Sequence, residues 1–281
     1  MNPAPKHAWL IGASAGMGLE VGRRLRKAGW QVTLSARNPE RLAAAAAEIG
    51  AEAHAVDVTD ASAVATAASL MFQAAPPSLV LVNAGDYEPM PIEQYDTALF
   101  ARLNAVNYMG PVNVLGAILP LMRDAGGGEI LLNASAAGLR GLPRSAPYSA
   151  PKAATIHLAE ALKPEAKQWG IRLRVINPGF VRSRLTDKNT FKMPALMTQE
   201  EAAGKIVAQI GKSNFEISFP RRLIWPIKLL RCLPYSLFFR LIERRVLQEY
   251  ETARQTRVVG TRKKGGSGGS DDRQSALDLR A

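Results

Sequence analysis

Tyr148 and Lys152, in the run Tyr148-Ser-Ala-Pro-Lys152, are the residues of this 281-residue chain best spaced for proton transfer. A free tyrosine titrates near pH ~10, too weak an acid to donate efficiently at neutral pH. On a helix the side chain four residues on shares its face, where an ammonium stabilises the developing phenolate and lowers that value. Tyr-x-x-x-Lys is common on helices, so its weight depends on its company. That company begins with Gly12-Ala13-Ser14-Ala15-Gly16-Met17-Gly18, which follows the apolar run 8–11. After it Leu19, Val21, Gly22, Leu25 and Ala28 recur at helical spacing. Strand, glycine turn and helix together bring backbone N–H groups and a positive helix end to a pyrophosphate. Gly12, Ser14, Ala15, Gly16, Met17 and Gly18 are then the lining of that turn. The plainer reading is a tight connection that binds nothing.

About 20 residues beyond such a turn an acidic side chain would bind the adenosine ribose hydroxyls. Ala36 and Arg37 stand there instead. A guanidinium fork suits the 2′-phosphate of NADP(H), whereas the plainer reading of Arg37 is a solvated surface charge. Asp57-Val58 and Asn83-Ala84-Gly85 fall at the ends of two further predicted strands, where a doubly wound sheet presents its ligand crevice.

The elements that must position these residues are legible as apolar runs at 8–11, 31–35, 53–56, 79–82, 129–133, 171–176 and 215–219, with helical stretches between them. Short strands alternating with helices predict an α/β fold with a doubly wound parallel sheet. The Ala-rich stretch 41–49 predicts a helix closed by Gly50, and Thr198-Gln-Glu-Glu201 a capping box opening a helix that ends near Gly211. A composition of 47% hydrophobic and 21% charged residues supports one large core over residues 1–219. The connection 184–197 is long for this fold and predicts a lid beside the site, with Phe191, Met193, Leu196 and Met197 as its apolar lining.

With these residues assembled, positions 7–219 resemble the short, single-domain branch of the short-chain dehydrogenase/reductase family. Gly12–Gly18 is similar to its cofactor turn, and Val82-Asn83-Ala84-Gly85 to its Asn-Asn-Ala-Gly motif with the first Asn replaced. Asn107 and Ser135, the latter 13 residues before Tyr148, stand where the family keeps an asparagine and a serine. Asn177-Pro178-Gly179-Phe180-Val181-Arg182-Ser183 resembles the segment that cradles the nicotinamide. The resemblance implies a Rossmann fold and NADP(H)-dependent interconversion of a ketone and a secondary alcohol. It makes Tyr148 the general acid/base, which Lys152 assists while also reaching the ribose. Ser135 would hold the carbonyl oxygen, and Asn107 a relaying water. Pro178, Gly179, Val181 and Ser183 would lie at the nicotinamide. Ile11 and Ser183 replace the usual threonines. Pro164, inside the helix after Tyr148, predicts a kink at the edge through which this family often forms homo-oligomers.

Two alternatives stay open. One is reduction of a 3-oxoacyl group on a carrier protein or CoA thioester; the other is a non-catalytic dinucleotide-binding sensor, which has no need for all four of Asn107, Ser135, Tyr148 and Lys152. The formal charge of +12 is concentrated between Pro220 and Lys264, with 12 Lys/Arg against 3 Asp/Glu. No helix-turn-helix, zinc-finger or stacking-aromatic pattern accompanies it, which argues against nucleic acid. Residues 220–250 read instead as a basic amphipathic extension. It is too charged to span a bilayer, is divided into short pieces by Pro226 and Pro234, and has Lys228, Arg231 and Tyr235 along one side. Over 221–245 this predicts peripheral attachment to a membrane and a lipophilic substrate, the alternative being a segment folded over the active-site mouth or into a dimer contact. His7, His54, His157 and Cys232 show no metal-ligand spacing, so no metal is expected. A single cysteine and the lack of a leader before the first strand predict a cytoplasmic setting. The polar tail 251–281, with its Gly/Ser run at 265–270, has linker composition.

Overall fold

The computed structural model describes residues 6–189 and 193–244. Its first compact unit ends at Cys232, and a second begins at Leu233. The first unit is built on strands β1 (His7–Ile11), β2 (Gln31–Ser35), β3 (Glu52–Ala53), β4 (Leu79–Val82), β5 (Gly128–Asn133), β6 (Ile171–Pro178) and β7 (Glu216–Phe219). They form one sheet in the order β3-β2-β1-β4-β5-β6-β7 with every pairing parallel. The helices are α1 (Gly16–Lys27), α2 (Pro39–Ile49), α3 (Ala61–Ala74), α4 (Thr97–Asn104), α5 (Gly110–Asp124), α6 (Ala146–Gln168), α7 (Gln199–Val207) and α8 (Arg221–Cys232).

The central strands are apolar on both faces because helices cover both. Successive side chains go to opposite sides. Trp9, Ile11, Val80, Val82, Ile130, Leu132, Leu173 and Val175 join one core with residues of α3, α5 and α6. Ala8, Leu10, Leu34, Leu79, Leu81, Leu131 and Ile176 join a second with residues of α1, α2 and α7. From β1 the chain passes to β2 on one side, and from β4 to β5 on the other. Helix connections leave a crevice at such a reversal, outside the carboxyl ends of the strands. Gly12 follows β1 there, and Asn83 follows β4.

Several boundaries differ from the sequence reading. The third strand, expected at 53–56, is only Glu52–Ala53. Beyond it pairing with the β2 side continues as isolated bonds, His54 N–H to Leu34 O and Val56 N–H to Ala36 O. A short edge strand of this kind offers little free ladder. The capping box is formed by Thr198 and Glu201, but α7 ends at Val207 and the chain turns on to Gly211. α6 runs unbroken through Pro151 and Pro164. α8 likewise continues through Pro226, which was expected to divide it. A proline removes one helix hydrogen bond; in α8 the buried Ile224 and an ion pair between Lys228 and Glu216 hold the segment against the sheet. Lys228 is therefore engaged with β7 rather than lining a solvated polar side with Arg231 and Tyr235. Pro234 does separate α8 from the helical residues 235–244 of the second unit. The polar tail 251–281 and Phe191 lie outside the described residues.

Candidate active site

The glycine turn is shaped first by the protein's own packing. Gly12 has φ +83°, and a Cβ there would lie 2.3 Å from the Ala84 nitrogen. A Cβ on Gly18 would meet Gly12 O at 2.7 Å and Asn83 Nδ2 at 2.8 Å. Only Gly16, with φ +65°, has open space around it, its nearest neighbour being the Gln199 side chain at 4.0 Å. Asn83 Nδ2 donates to Gly12 O (2.7 Å) and Asn133 Nδ2 to Asn83 Oδ1 (2.9 Å), tying the ends of β1, β4 and β5 together.

These residues fit a dinucleotide. Side chains cap α2, α3, α4 and α7, whereas α1, after its N-cap Ala15, has no side-chain cap and no acid in its first turn, as is also true of α5 and α6. The leading N–H groups of α1 are those a pyrophosphate would take. Ser14, Ala15 and Gly16 are partly exposed beside them, while Met17 packs toward the core. The Arg37 side chain is 78% exposed, with its Nε 4.0 Å from the Asp57 carboxylate. That carboxylate accepts from Thr59 N–H (2.9 Å) and Oγ1 (2.8 Å). The Val58 side chain is buried under Gly110, and its carbonyl accepts from Asn113 Nδ2 (2.9 Å).

The candidate proton-transfer residues come from three elements. Between α4 and α5 lies a π-helical turn, Ala105–Met109, a form that recurs at functional sites. Within it Asn107 is buried, donates through Nδ2 to Leu103 O and Asp86 O (both 2.9 Å), and accepts from Asp86 N–H (3.2 Å). Ser135 follows β5, and its Oγ accepts from Ala137 N–H (3.1 Å), capping a short 3-10 turn, Ala136–Gly138. Gly138 seats that turn on α6, since a Cβ there would lie 2.8 Å from the Lys152 carbonyl carbon. This brings Ser135 to Tyr148, where its hydroxyl favours the ionised phenol. Lys152 is only 2% exposed, donates to Asn133 O (2.7 Å) and has its Nζ 5.8 Å from the Tyr148 ring centre. Gly85 is the gap between them: a Cβ there would lie 3.0 Å from Asn107 Oδ1 and 3.5 Å from Lys152 Nζ.

The balance of acidities differs from the sequence reading. Burial pushes the Tyr148 phenol up, the Ser135 hydrogen bond opposes this, and Tyr87 adds to the rise. Lys152 is pushed down to about 8 by burial. Desolvation outweighs the pairing expected one helical turn apart, because Lys152 is buried beside a partly buried Tyr148 ring.

At the other wall Pro178 closes β6, and Gly179 N–H donates to Phe219 O (2.7 Å). Val181 bridges to Met197, with Met197 N–H to Phe180 O (3.0 Å) and Arg182 N–H to Met197 O (2.9 Å). Met197 therefore joins the core as an anchor rather than serving as lid lining. The Ser183 N–H donates to Thr186 Oγ1 (2.9 Å) in a local turn. Two further contacts complete this wall; the first accords with the folded-back alternative kept for 221–245, and the second escaped the sequence reading. α8 seats on the Pro-Gly segment, a Cβ on Gly179 falling 2.5 Å from Leu223 Cδ2. Tyr87 packs edge-on against Tyr148, centroids 5.0 Å apart at 84°. The run Asn83-Ala84-Gly85 marks the loop, but nothing local marks its neighbour.

A doubly wound sheet with an uncapped glycine turn and a tyrosine–lysine–serine cluster at one crevice defines a dinucleotide-dependent oxidoreductase. A short chain dehydrogenase family model matches residues 6–194. An uncharacterized oxidoreductase of Myxococcus xanthus is 32% identical over 237 residues, 82% of this chain and 94% of that one. Dehydrogenase/reductase SDR family member 7B of Bos taurus is 29% identical over 263 residues, covering 85% and 81%. The crystal structure of a single-substitution variant of actinorhodin polyketide ketoreductase with NADPH shares the fold at a TM-score of 0.71 and 23% identity, covering 78% of this chain and 97% of that one. This chain belongs to the short-chain dehydrogenase family. Its activity is that family's NAD(P)(H)-dependent interconversion of carbonyl and alcohol groups.

Proposed function

We propose that the protein is an NADP(H)-dependent reductase of lipophilic ketones, or dehydrogenase of the corresponding secondary alcohols, with Tyr148 as general acid/base. The convergence of Tyr148, Ser135 and Lys152 within one desolvated cluster beside the crevice carries this reading. The bound nicotinamide supplies or accepts the hydride. In the reducing direction Ser135 donates to the carbonyl oxygen and holds it within reach of the phenol, and Tyr148 gives that oxygen its proton. The Lys152 ammonium stabilises the phenolate left behind, and Asn107 fixes the Asp86 backbone that borders the site. Asn107 as a water-holding relay, and Pro178, Gly179, Val181 and Ser183 as the nicotinamide's seat, follow the family pattern. The exposed Arg37 guanidinium, with no carboxylate at Ala36, supports NADP(H) over NAD(H). Met90, Leu99, Leu103 and Phe100 around Tyr148 support a lipophilic substrate. A panel of ketones and 3-oxoacyl thioesters assayed with NADPH and NADH is the test. The reading requires turnover with NADPH that Tyr148→Phe abolishes while cofactor binding persists; a Tyr148→Phe protein of normal rate overturns it.

We propose further that residues 221–245, within the basic extension 220–250, hold the protein peripherally at the cytoplasmic face of an anionic membrane. The support is the outer face of α8, where Trp225 (68% exposed) and Leu229 (69%) stand at helical spacing from Arg221, with Arg222 beside them. Apolar insertion and attraction of arginines to anionic headgroups act together on such a face.

A further inference from the structure

The loop after β4 is braced on two sides. Its Asp86 exchanges backbone hydrogen bonds with the Asn107 amide, and Met90 N–H donates to Arg144 O (2.9 Å). Arg102 pairs with Asp86 and reaches Glu88 at 2.6 Å. Between these anchors sits Tyr87, whose own N–H donates to Asp86 Oδ1 (2.8 Å). Its ring meets Tyr148 edge-on, and its hydroxyl donates to Asn189 Oδ1 (2.7 Å). The neighbouring Lys188 donates to Tyr87 O (2.8 Å) and lies 4.0 Å from both the Asp86 and Glu88 carboxylates. Lys188 ends a short 3-10 turn, Thr186–Lys188, rooted through Thr186 Oγ1 on Val181 O (3.1 Å), next to the Pro-Gly segment. One side chain therefore touches both the proton donor and the segment leading from the nicotinamide wall.

We propose that Tyr87 is a positioning residue: its ring orients Tyr148 and keeps water from it, and its hydroxyl latches residues 186–189 beside the proton donor. The inference rests on Tyr148 being the general acid/base. Aromatic rings prefer edge-to-face packing, which biases the phenol toward one ring orientation. A ring misplaced by about 1 Å can cost as much as 10²-fold in rate. The hydroxyl contributes separately, through closure, which is read in KM rather than kcat.

The two halves of Tyr87 are separable by Tyr87→Phe, which keeps the ring, and Tyr87→Ala, which loses both. Tyr87→Ala is expected to lower kcat about 10–100-fold. It should also move the pH limb belonging to the Tyr148 phenol downward, because water then reaches a group whose pKa burial had raised. Tyr87→Phe should recover most of that kcat and leave the limb in place, with KM raised about 3–10-fold; Asn189→Ala should reproduce that KM change. A merely structural Tyr87 changes melting temperature without moving the pH limb. Normal kcat and an unmoved limb in Tyr87→Ala overturn the inference, as does Tyr87→Phe losing kcat as fully as Tyr87→Ala. If Tyr87→Ala fails to fold, Tyr87→Phe and Asn189→Ala decide alone: unchanged KM in both refutes the latch and with it the proposal. The parallel Tyr148→Phe assay separates the two failures. An active Tyr148→Phe enzyme sinks the reading of Tyr148 itself, whereas an inactive one beside an unaffected Tyr87→Ala sinks this inference only.

Discussion

At the scale of the residue, Lys152 is an ammonium enclosed beside a phenol, with a backbone carbonyl as the partner of its Nζ. Burial brings its pKa from 10.5 to about 8, so the folded protein holds this proton less tightly than the unfolded chain does. Below about pH 8 both states carry the charge, and the fold bears its desolvation. As pH rises from about 8 toward 10.5 the folded state releases the proton while the unfolded state keeps it, and stability climbs. The full span amounts to about 3 kcal/mol. We expect Lys152→Met to abolish turnover yet make the cofactor-free protein more stable at pH 7 by about 1–2 kcal/mol, part of the gain being offset by the unpaired Asn133 carbonyl. The wild type should close that gap by pH 10; denaturant midpoints at the two pH values measure it, and parallel pH dependence in both proteins would count against a buried charge. Arg37 is the opposite case, an exposed cation with one distant partner. Arg37→Ala should weaken NADPH binding by about 1.5–3 kcal/mol and leave NADH nearly unchanged, as read by fluorescence titration. The chemistry of both residues was legible in the sequence through spacing. The environment of Lys152 was not, because it depends on Asn133 and Gly85, neither of them a helical neighbour.

At the scale of the element, α8 shows how a segment outside the parallel sheet becomes part of the site. Ile224 packs with Ala134, Ala136, Leu139 and Ile156, the residues that flank Ser135 and line α6. Leu223 occupies the space that Gly179 leaves, and the Lys228–Glu216 pair continues to Asn177, whose Nδ2 donates to Glu216 Oε1 (2.8 Å). A side chain at position 179 must therefore displace α8. Gly179→Ala should destabilise the protein by about 1–3 kcal/mol, and adding Leu223→Ala should cost less than the two changes summed, since each removes the reason for the other's penalty. A thermodynamic cycle from urea unfolding tests this; strict additivity would mean that α8 does not rest on the Pro-Gly turn. The sequence showed α8 as basic and amphipathic but placed its break at Pro226. Local propensity penalises that proline, whereas packing on Gly179 and the Lys228 pair, both distant in sequence, keep the helix whole.

At the scale of the whole molecule, most of the charge surplus belongs to the region after Phe219, and the tyrosine–lysine–serine cluster to the region before it. In the first unit, Arg221, Arg222, Trp225 and Leu229 share the outward face of α8; in the second, Tyr235, Leu237, Phe239 and Leu241 are exposed within residues 235–244. We expect the full-length protein to co-sediment with vesicles containing phosphatidylserine and to leave them as salt rises from about 0.05 to about 0.5 M, a range over which the Debye length shrinks severalfold. Trp225→Ala with Leu229→Ala should weaken this binding about tenfold or more without loss of soluble ketone reduction, because the outward face lies away from Ile224 and Leu223. Equal recovery in the supernatant with and without anionic vesicles at low salt would reject the attachment.

The sequence by itself determined whatever depends on residues close along the chain. The strands of apolar residues, the turn Gly12–Gly18, the capping box at Thr198 and the tyrosine–lysine pair on one helical face each follow from local sterics and periodicity. The family likeness of residues 7–219 was readable for the same reason, since its motifs are short and contiguous. The tertiary structure decided what depends on contacts between distant segments. It showed that Gly12 and Gly18 answer to Ala84 and Asn83, that Met197 anchors its loop instead of lining it, and that Lys228 pairs with Glu216. It also placed Tyr87 on Tyr148, 61 positions apart in the chain. Chain-distant contacts leave no periodic trace, because they arise where the parallel crossovers bring the carboxyl ends of separate strands to one crevice.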